Sequence, residues 1–238
     1  MGNSYFQFKQ FRVEQDRCAM KVCTDSCLFG AYVEVEKATS ILDIGTGTGL
    51  LALMAAQRST AKITAVELDS TAAKQAAENF AASPWANRIA LYTGSLQDFE
   101  RINRESFEVI ISNPPFYQAS QKSPDGARNR AMQNTELPFP DLLRFCQKFL
   151  TSTGSLYLLL PPYEGQIIKN LAPTYKLFLR QELPVFTSKA GKHIRSILHF
   201  QSQPIITPEV TSPIFIRTSD NQYSESFHQL LGPYYLYI

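Results

Sequence analysis

Four consecutive residues, Asn113-Pro114-Pro115-Phe116, combine side chains with a definite chemical use. A planar exocyclic or amide nitrogen is a poor nucleophile because its lone pair is delocalised. Acceptors placed on its N–H groups draw it toward a tetrahedral form and free that pair. The Asn113 side-chain oxygen and the Pro114 carbonyl are acceptors of this kind, and the prolines stiffen the backbone that carries them. Phe116 offers a flat face for a base, worth roughly 1–3 kcal/mol in comparable base–aromatic contacts. No general base is needed before attack, since the proton leaves afterwards.

The second chemical feature is DIGTGTG (43–49), with Gly45, Gly47 and Gly49 alternating with other residues. Glycines between a strand and a helix let the backbone turn sharply and let a ligand approach. Leu50 stands where the dinucleotide fingerprint requires its third glycine. Asp43 would set a negative charge near a pyrophosphate, so the loop, with Thr46 at its centre, suits S-adenosylmethionine better, whose amino group and sulfonium are positive. Glu67, closing the next apolar segment, is expected to accept from ribose hydroxyls. Asp69 is the alternative, and a helix cap is the plainer use of Glu67.

These residues need a scaffold, and the hydrophobic pattern supplies one. SILDI (40–44), KITAVE (62–67), RIALYT (88–93) and FEVIIS (107–112) read as strands, with helices over 50–57 and 70–83 between them. The pattern predicts a helix over 139–150, a strand over 155–161, a helix after Tyr163, strands near 176–187 and 194–201, and a last strand at 214–218. The tail reads as a helix with an aromatic end. Alternating strands and helices imply an α/β, doubly wound, mostly parallel sheet. Each chemical residue then lies at the carboxyl end of a strand. Upstream, 5–13 and 17–22 read as a hairpin around Glu14-Gln15-Asp16, and Thr24 or Asp25 as the cap of a helix through Val33. Residues 117–137 are polar and aperiodic, a long loop able to close over an extruded base.

The 238 residues are 44% hydrophobic and 18% charged, with a net charge of +2. That balance is globular and lacks the strong positive charge of a non-specific nucleic-acid binder. Cys18, Cys23, Cys27 and Cys146 form no metal-ligand spacing and read as reduced thiols, so no metal is expected. There is no secretory signal, and no apolar run approaches the roughly 20 residues that span a bilayer. The expectation is a soluble cytoplasmic protein with no membrane partner.

Taken together, the glycine loop, the strand-end acid and NPPF resemble class I S-adenosylmethionine-dependent methyltransferases of the small-domain type. FKQF (8–11), QDRCAMKVCTD (15–25), AVELD (65–69), SPWANRI (83–89), ISNPPFY (111–117) and IR-x5-YSE (216–225) narrow the likeness to the bacterial tRNA(Val) adenine-N6 methyltransferase family. The resemblance runs from about Phe6 to the C-terminus and is thinnest over 118–213. It implies a Rossmann-like, mostly parallel seven-stranded sheet in a single domain over 1–238, with hairpin and helix in 1–35 and the catalytic core in 36–238. It implies that Asp43, Gly45, Thr46, Gly47 and Gly49 bind the cofactor, that Glu67 holds its ribose, and that Lys21, Thr24 and Asp25 lie near its methionine end. Asn113 to Phe116 would hold the target amine, the N6 of the adenosine 3′ of a tRNA anticodon. DNA is not expected as a partner.

Two residues depart from the family pattern. Phe116 replaces the usual tyrosine, and NPPF also occurs in guanine-N2 rRNA methyltransferases. Ser95 stands where an aspartate usually reads the cofactor adenine, with Asp98 three positions on. Lys9, Arg12, Arg17, Arg128, Arg130, Lys189, Lys192 and Arg195 are candidate phosphate contacts. The alternatives are methylation of guanine N2 or of a protein glutamine amide, and a cofactor-retaining RNA-binding module without turnover.

Overall fold

The computed structural model describes residues 3–18, 20–114, 137–204 and 209–237. Its centre is a parallel core of β3 (Ser40–Ile44), β4 (Lys62–Glu67), β5 (Ile89–Thr93), β6 (Phe107–Ser112) and β7 (Leu150–Leu160). Beyond β7 the sheet turns antiparallel through β9 (His193–Gln201) and β8 (Phe178–Ser188). The order is β5-β4-β3-β6-β7-β9-β8, with short β10 (Glu209–Val210) and β11 (Ile214–Arg217) both parallel to β8. Among the described residues the sheet therefore has nine strands rather than seven. β11 answers to the expected strand at 214–218, while a two-residue strand such as β10 is too short to leave a sequence period.

Alternation along the strands explains why both faces are covered. Ile41, Val109, Ile111, Tyr157 and Leu159 enter one core; Leu42, Ile110, Leu156, Leu158 and Leu160 enter the other. Such runs have no polar face to show to water, so helices must pack on both sides. The first core takes α1 (Thr24–Tyr32), α2 (Leu50–Arg58), α3 (Ser70–Ala81) and α7 (Glu225–Leu231). The second takes α4 (Leu96–Ile102), α5 (Phe139–Phe149) and α6 (Pro162–Leu171). Their ends follow local chemistry. Asp69 caps α3 by accepting from Thr71 N and Ala72 N at 2.8 and 2.7 Å, and prolines open α5 and α6.

The N-terminal hairpin differs from its sequence pattern. β1 (Tyr5–Gln7) pairs with β2 (Arg12–Glu14), so the turn lies at Phe8–Phe11, and none of the described residues of 17–22 is in a strand. Side chains claim the backbone of that segment: Val22 N donates to Gln15 Oε1 at 2.8 Å and Arg17 N to Gln75 Oε1 at 3.1 Å. Neither Thr24 nor Asp25 caps α1, whose N-cap is Cys23 without a side-chain bond. Phe6 and Phe8 are packing residues. Phe8 is fully buried, and both rings meet Tyr235 of the aromatic tail.

Candidate active site

The sheet reverses its winding between β3 and β6, and the gap between their carboxyl ends is where ligands bind in open α/β sheets. The Ser112 hydroxyl bonds the Ile44 carbonyl at 2.8 Å, closing the floor of that gap. Above it, the loop after β3 is pinned by donors and acceptors from its neighbours. Gly45 N and Thr46 N donate to the Val66 carbonyl at 2.9 and 3.1 Å, and Gly47 N donates to Glu67 Oε2 at 2.8 Å. The second Glu67 oxygen accepts from Asp69 N at 2.9 Å. Gly47 has φ +58°, and a Cβ there would meet no protein atom within 4 Å, so the space beside it is open to a ligand. Gly49 is required for a different reason: it enters α2 at φ +86°, and a Cβ would collide with the Phe80 ring.

Asp43 supports this loop from beneath. It is fully buried, and its Oδ2 accepts from Thr46 Oγ1 at 2.6 Å and from Ala52 N at 3.2 Å. Its Oδ1 has no partner. Burial pushes its carboxyl up to about 7, with the Thr46 and Ala52 hydrogen bonds opposing the rise.

The loop opens on a cavity of about 560 Å³, within the roughly 300–1,000 Å³ of small-molecule sites. Asn113 and Pro114 form one wall, Glu67 and the glycine loop another, and the segment before α1 a third. Asn113 Nδ2 donates to Ser26 Oγ at 3.0 Å and lies 3.8 Å from Met20 Sδ. Its Oδ1 is buried without a partner among the described residues. An unsatisfied buried acceptor costs roughly 1–3 kcal/mol unless a ligand satisfies it. Among the described residues no group of three or more His, Cys, Asp or Glu could hold a metal ion. No helix among them is long and apolar enough to cross a membrane.

The family described as Methyltransferase small domain matches residues 18–160, more than half of the chain. A tRNA1(Val) (adenine(37)-N6)-methyltransferase from Cytophaga hutchinsonii is 42% identical over 237 residues, covering 99% of each chain. The enzyme of the same name from Tolumonas auensis is 42% identical over 238 residues, covering 99% of this chain and 98% of its own. The chain belongs to the tRNA1(Val) (adenine(37)-N6)-methyltransferase family. In fold it also matches a predicted O-methyltransferase from Agrobacterium tumefaciens, with a TM-score of 0.69 at 18% identity over 88% of this chain and 96% of that one. S-adenosylmethionine is the methyl donor of this class of enzyme.

With the family known, the positions of the expected site residues carry weight. Lys21, Gly45, Thr46, Gly47, Glu67, Ser95, Asn113 and Pro114 share the cavity wall. Asp43, Gly49, Thr24 and Asp25 do not line it. Asp43 and Gly49 shape the loop from behind, and Asp25 pairs with Arg195 of β9 at 2.8 Å. Pro115, Phe116, most of the loop at 117–137, Arg128 and Arg130 lie outside the described residues.

Ser95 caps α4, accepting from Asp98 N at 3.0 Å and donating to Asp98 Oδ2 at 2.6 Å, so most of its hydrogen-bonding capacity is taken. Gln97 lines the same wall, its Nε2 held by Asp141 Oδ2 at 2.9 Å. Sequence reasoning missed Gln97, Ser26 and Met20. None of the three had a signal in the pattern, because only the fold brings them to the cavity.

Among the candidate phosphate contacts, several are engaged within the fold. Lys9 Nζ donates to the Gly232 carbonyl at 2.6 Å, Arg12 pairs with Glu14 at 2.6 Å, and Arg17 pairs with Glu78. Lys189 and Lys192 are exposed in the turn between β8 and β9.

Proposed function

We propose that the chain transfers a methyl group from S-adenosylmethionine to N6 of adenine 37 in tRNA1(Val). The observation that carries this reading is Asn113 Oδ1, buried and without a partner in the cavity that also holds Gly47 and Glu67. The residues present fit the cofactor: an open glycine cradle, a strand-end carboxylate beside it and a cavity of suitable size. Gly45 to Gly47 and Glu67 would hold it, the latter through ribose hydroxyls, and Gln97 is placed to line its far end. Bound there, S-adenosylmethionine supplies an electrophilic methyl on a positively charged sulfur.

The protein's own task is to orient the acceptor amine. Asn113 Oδ1 and the Pro114 carbonyl accept its two N–H bonds, which localises the nitrogen lone pair and aims it across the cavity. Loss of one such preorganised group costs roughly 10²–10³-fold in rate in comparable sites. RNA would approach from the carboxyl edge of the sheet, where the β8–β9 turn projects beyond β7: Leu160, the last residue of β7, pairs with Ser196, and Lys189 and Lys192 lie farther along that hairpin. Such lysines suit phosphate contacts.

The test is nucleoside mass spectrometry of tRNA from cells lacking the gene, beside methyl incorporation by the purified protein into that tRNA. N6-methyladenosine should vanish from tRNA1(Val) and return on incubation. Asn113→Ala should slow transfer by roughly 10²–10³-fold and leave affinity for S-adenosylhomocysteine within a few-fold. Appearance of N2-methylguanosine, or label in protein rather than tRNA, would overturn the substrate; wild-type turnover by Asn113→Ala would overturn the mechanism.

A further inference from the structure

Asn113 reaches the cavity from the end of β6, but its carboxamide is held from α1. A carboxamide has a donor end and an acceptor end of nearly equal size, so its usefulness depends on which end faces the substrate. One neighbour holds the amide in place and a second settles that choice. Ser26 Oγ accepts from Asn113 Nδ2 at 3.0 Å, and the Met20 thioether sulfur, which can only accept, stands 3.8 Å from the same nitrogen. Turning the amide over would set its oxygen against that sulfur. Ser26 is itself fixed. It is 5% exposed, and its hydroxyl lies 3.0 Å from Cys23 Sγ one helical turn away. Burial pushes the Cys23 thiol up to about 11, so it stays a neutral partner near pH 7. Oδ1 is left as the end without a partner among the described residues.

We infer that Ser26 is a positioning residue for methyl transfer: it anchors the Asn113 carboxamide beside the Met20 sulfur, so that Nδ2 stays on the protein side and Oδ1 accepts from the substrate nitrogen. This rests on the proposed reaction, but the geometry it asserts is independent of which nitrogen is methylated. Ser26 touches no reacting atom in this scheme and acts through Asn113.

The experiment compares wild type, Ser26→Ala, Asn113→Ala and the double variant. The Asn113 side-chain NH2 resonances, identified by their loss in Asn113→Ala, are followed by NMR in wild type and Ser26→Ala. Single-turnover methyl transfer and S-adenosylhomocysteine binding are measured on all four. Loss of one hydrogen bond predicts a roughly five- to tenfold slower transfer in Ser26→Ala, from the usual worth of such a bond. The dissociation constant for S-adenosylhomocysteine should stay within about twofold, since the bond is internal to the acceptor wall. In the Asn113→Ala background Ser26→Ala should change nothing further, because its effect has no other route. The Asn113 NH2 pair should shift and exchange faster with solvent in Ser26→Ala.

Unmoved Asn113 resonances would overturn the inference whatever the activity. So would wild-type transfer by Ser26→Ala, or an equal additional loss in the double variant. If wild type methylates no tRNA while the resonances move as expected, the substrate reading fails and the positioning geometry stands.

Discussion

Asp43 offers a quantitative test of how the glycine loop is supported. Its carboxyl is fully buried, holds Thr46 Oγ1 and Ala52 N, and is pushed up to about 7 by that burial. In the unfolded chain the same group titrates at its ordinary value of 3.8. Between these values the folded protein holds a proton that the unfolded chain has released. Stability therefore falls as pH rises through that window and levels off above about 7. At about 1.4 kcal/mol per unit, the span from pH 5 to pH 8 removes about 3 kcal/mol. Asp43→Asn abolishes the titration but keeps an acceptor for Thr46 and Ala52. It also sets an NH2 group where Oδ1 has no partner, a constant penalty of roughly 1–3 kcal/mol. The two proteins' unfolding free energies should thus converge, and can cross, between pH 5 and pH 8. Urea unfolding at half-unit intervals, with matched m-values, measures the difference and cancels every other titrating group. A wild-type-minus-variant difference that stays constant to within about 0.5 kcal/mol would refute the buried, loop-supporting carboxyl.

Glu67→Gln should weaken S-adenosylhomocysteine binding by roughly ten- to a hundredfold in calorimetry, because the charge-assisted bonds that the carboxylate would accept from ribose hydroxyls, worth roughly 1.5–3 kcal/mol, are lost. A change below twofold would exclude Glu67 from the cofactor site. His199 gives a second pH signature, opposite in sign to Asp43: burial, helped by Arg180, lowers it to about 4 from 6.5, and it stacks on Tyr157 at 4.3 Å. The stability it contributes is present above pH 6.5 and lost as pH falls toward 4, by about 3 kcal/mol, and His199→Phe should lack that acid slope in urea unfolding.

The parts of the fold that were legible in the sequence are those where one period dominates. β3, β4 and β6 are short apolar strands closed by Asp43 to Gly49, by Glu67 and by Asn113, and each chemical residue follows directly from a strand end. Parallel order then places all three at one edge, whatever the details of packing. The hairpin was misplaced because local pattern lost to tertiary bonds. Residues 17–22 have the composition of a strand, yet Gln75 takes the backbone N–H of Arg17 and Gln15 that of Val22. Thr24 and Asp25 were misread for a similar reason: Asp25 answers a charge on β9, an interaction with no signature in neighbouring residues. The role expected of Asp43 shifted for another cause. Its place before the glycines is right for a loop-shaping group, but full burial sets it behind the backbone that faces the ligand.

The wall formed by Arg17, Cys18, Met20, Lys21 and Val22 left no mark in the hydrophobic pattern; only the family resemblance pointed to it, through Lys21. Residues 15–22 reach the cavity only because α3 fastens them. Asn79 donates to the Glu14 and Thr48 carbonyls at 3.0 and 2.8 Å and accepts from Glu14 N at 2.9 Å, while Gln75 donates to Asp16 at 2.5 Å. Both amides are buried on a helix whose other inward residues are mostly alanine, so small side chains let the helix approach and two amides carry the connection. Asn79 bonds the Thr48 carbonyl in the glycine loop and the hairpin at once, so the same side chain positions the cradle and the segment bearing Met20. That segment in turn stands against Asn113. The glycine loop and NPPF lie on neighbouring strands by topology, but their shared wall is a product of side-chain hydrogen bonding across α3. A motif search finds the two loops; the contacts that turn them into one cavity come from residues whose types are ordinary and whose partners lie about sixty positions away, as between Asn79 and Glu14.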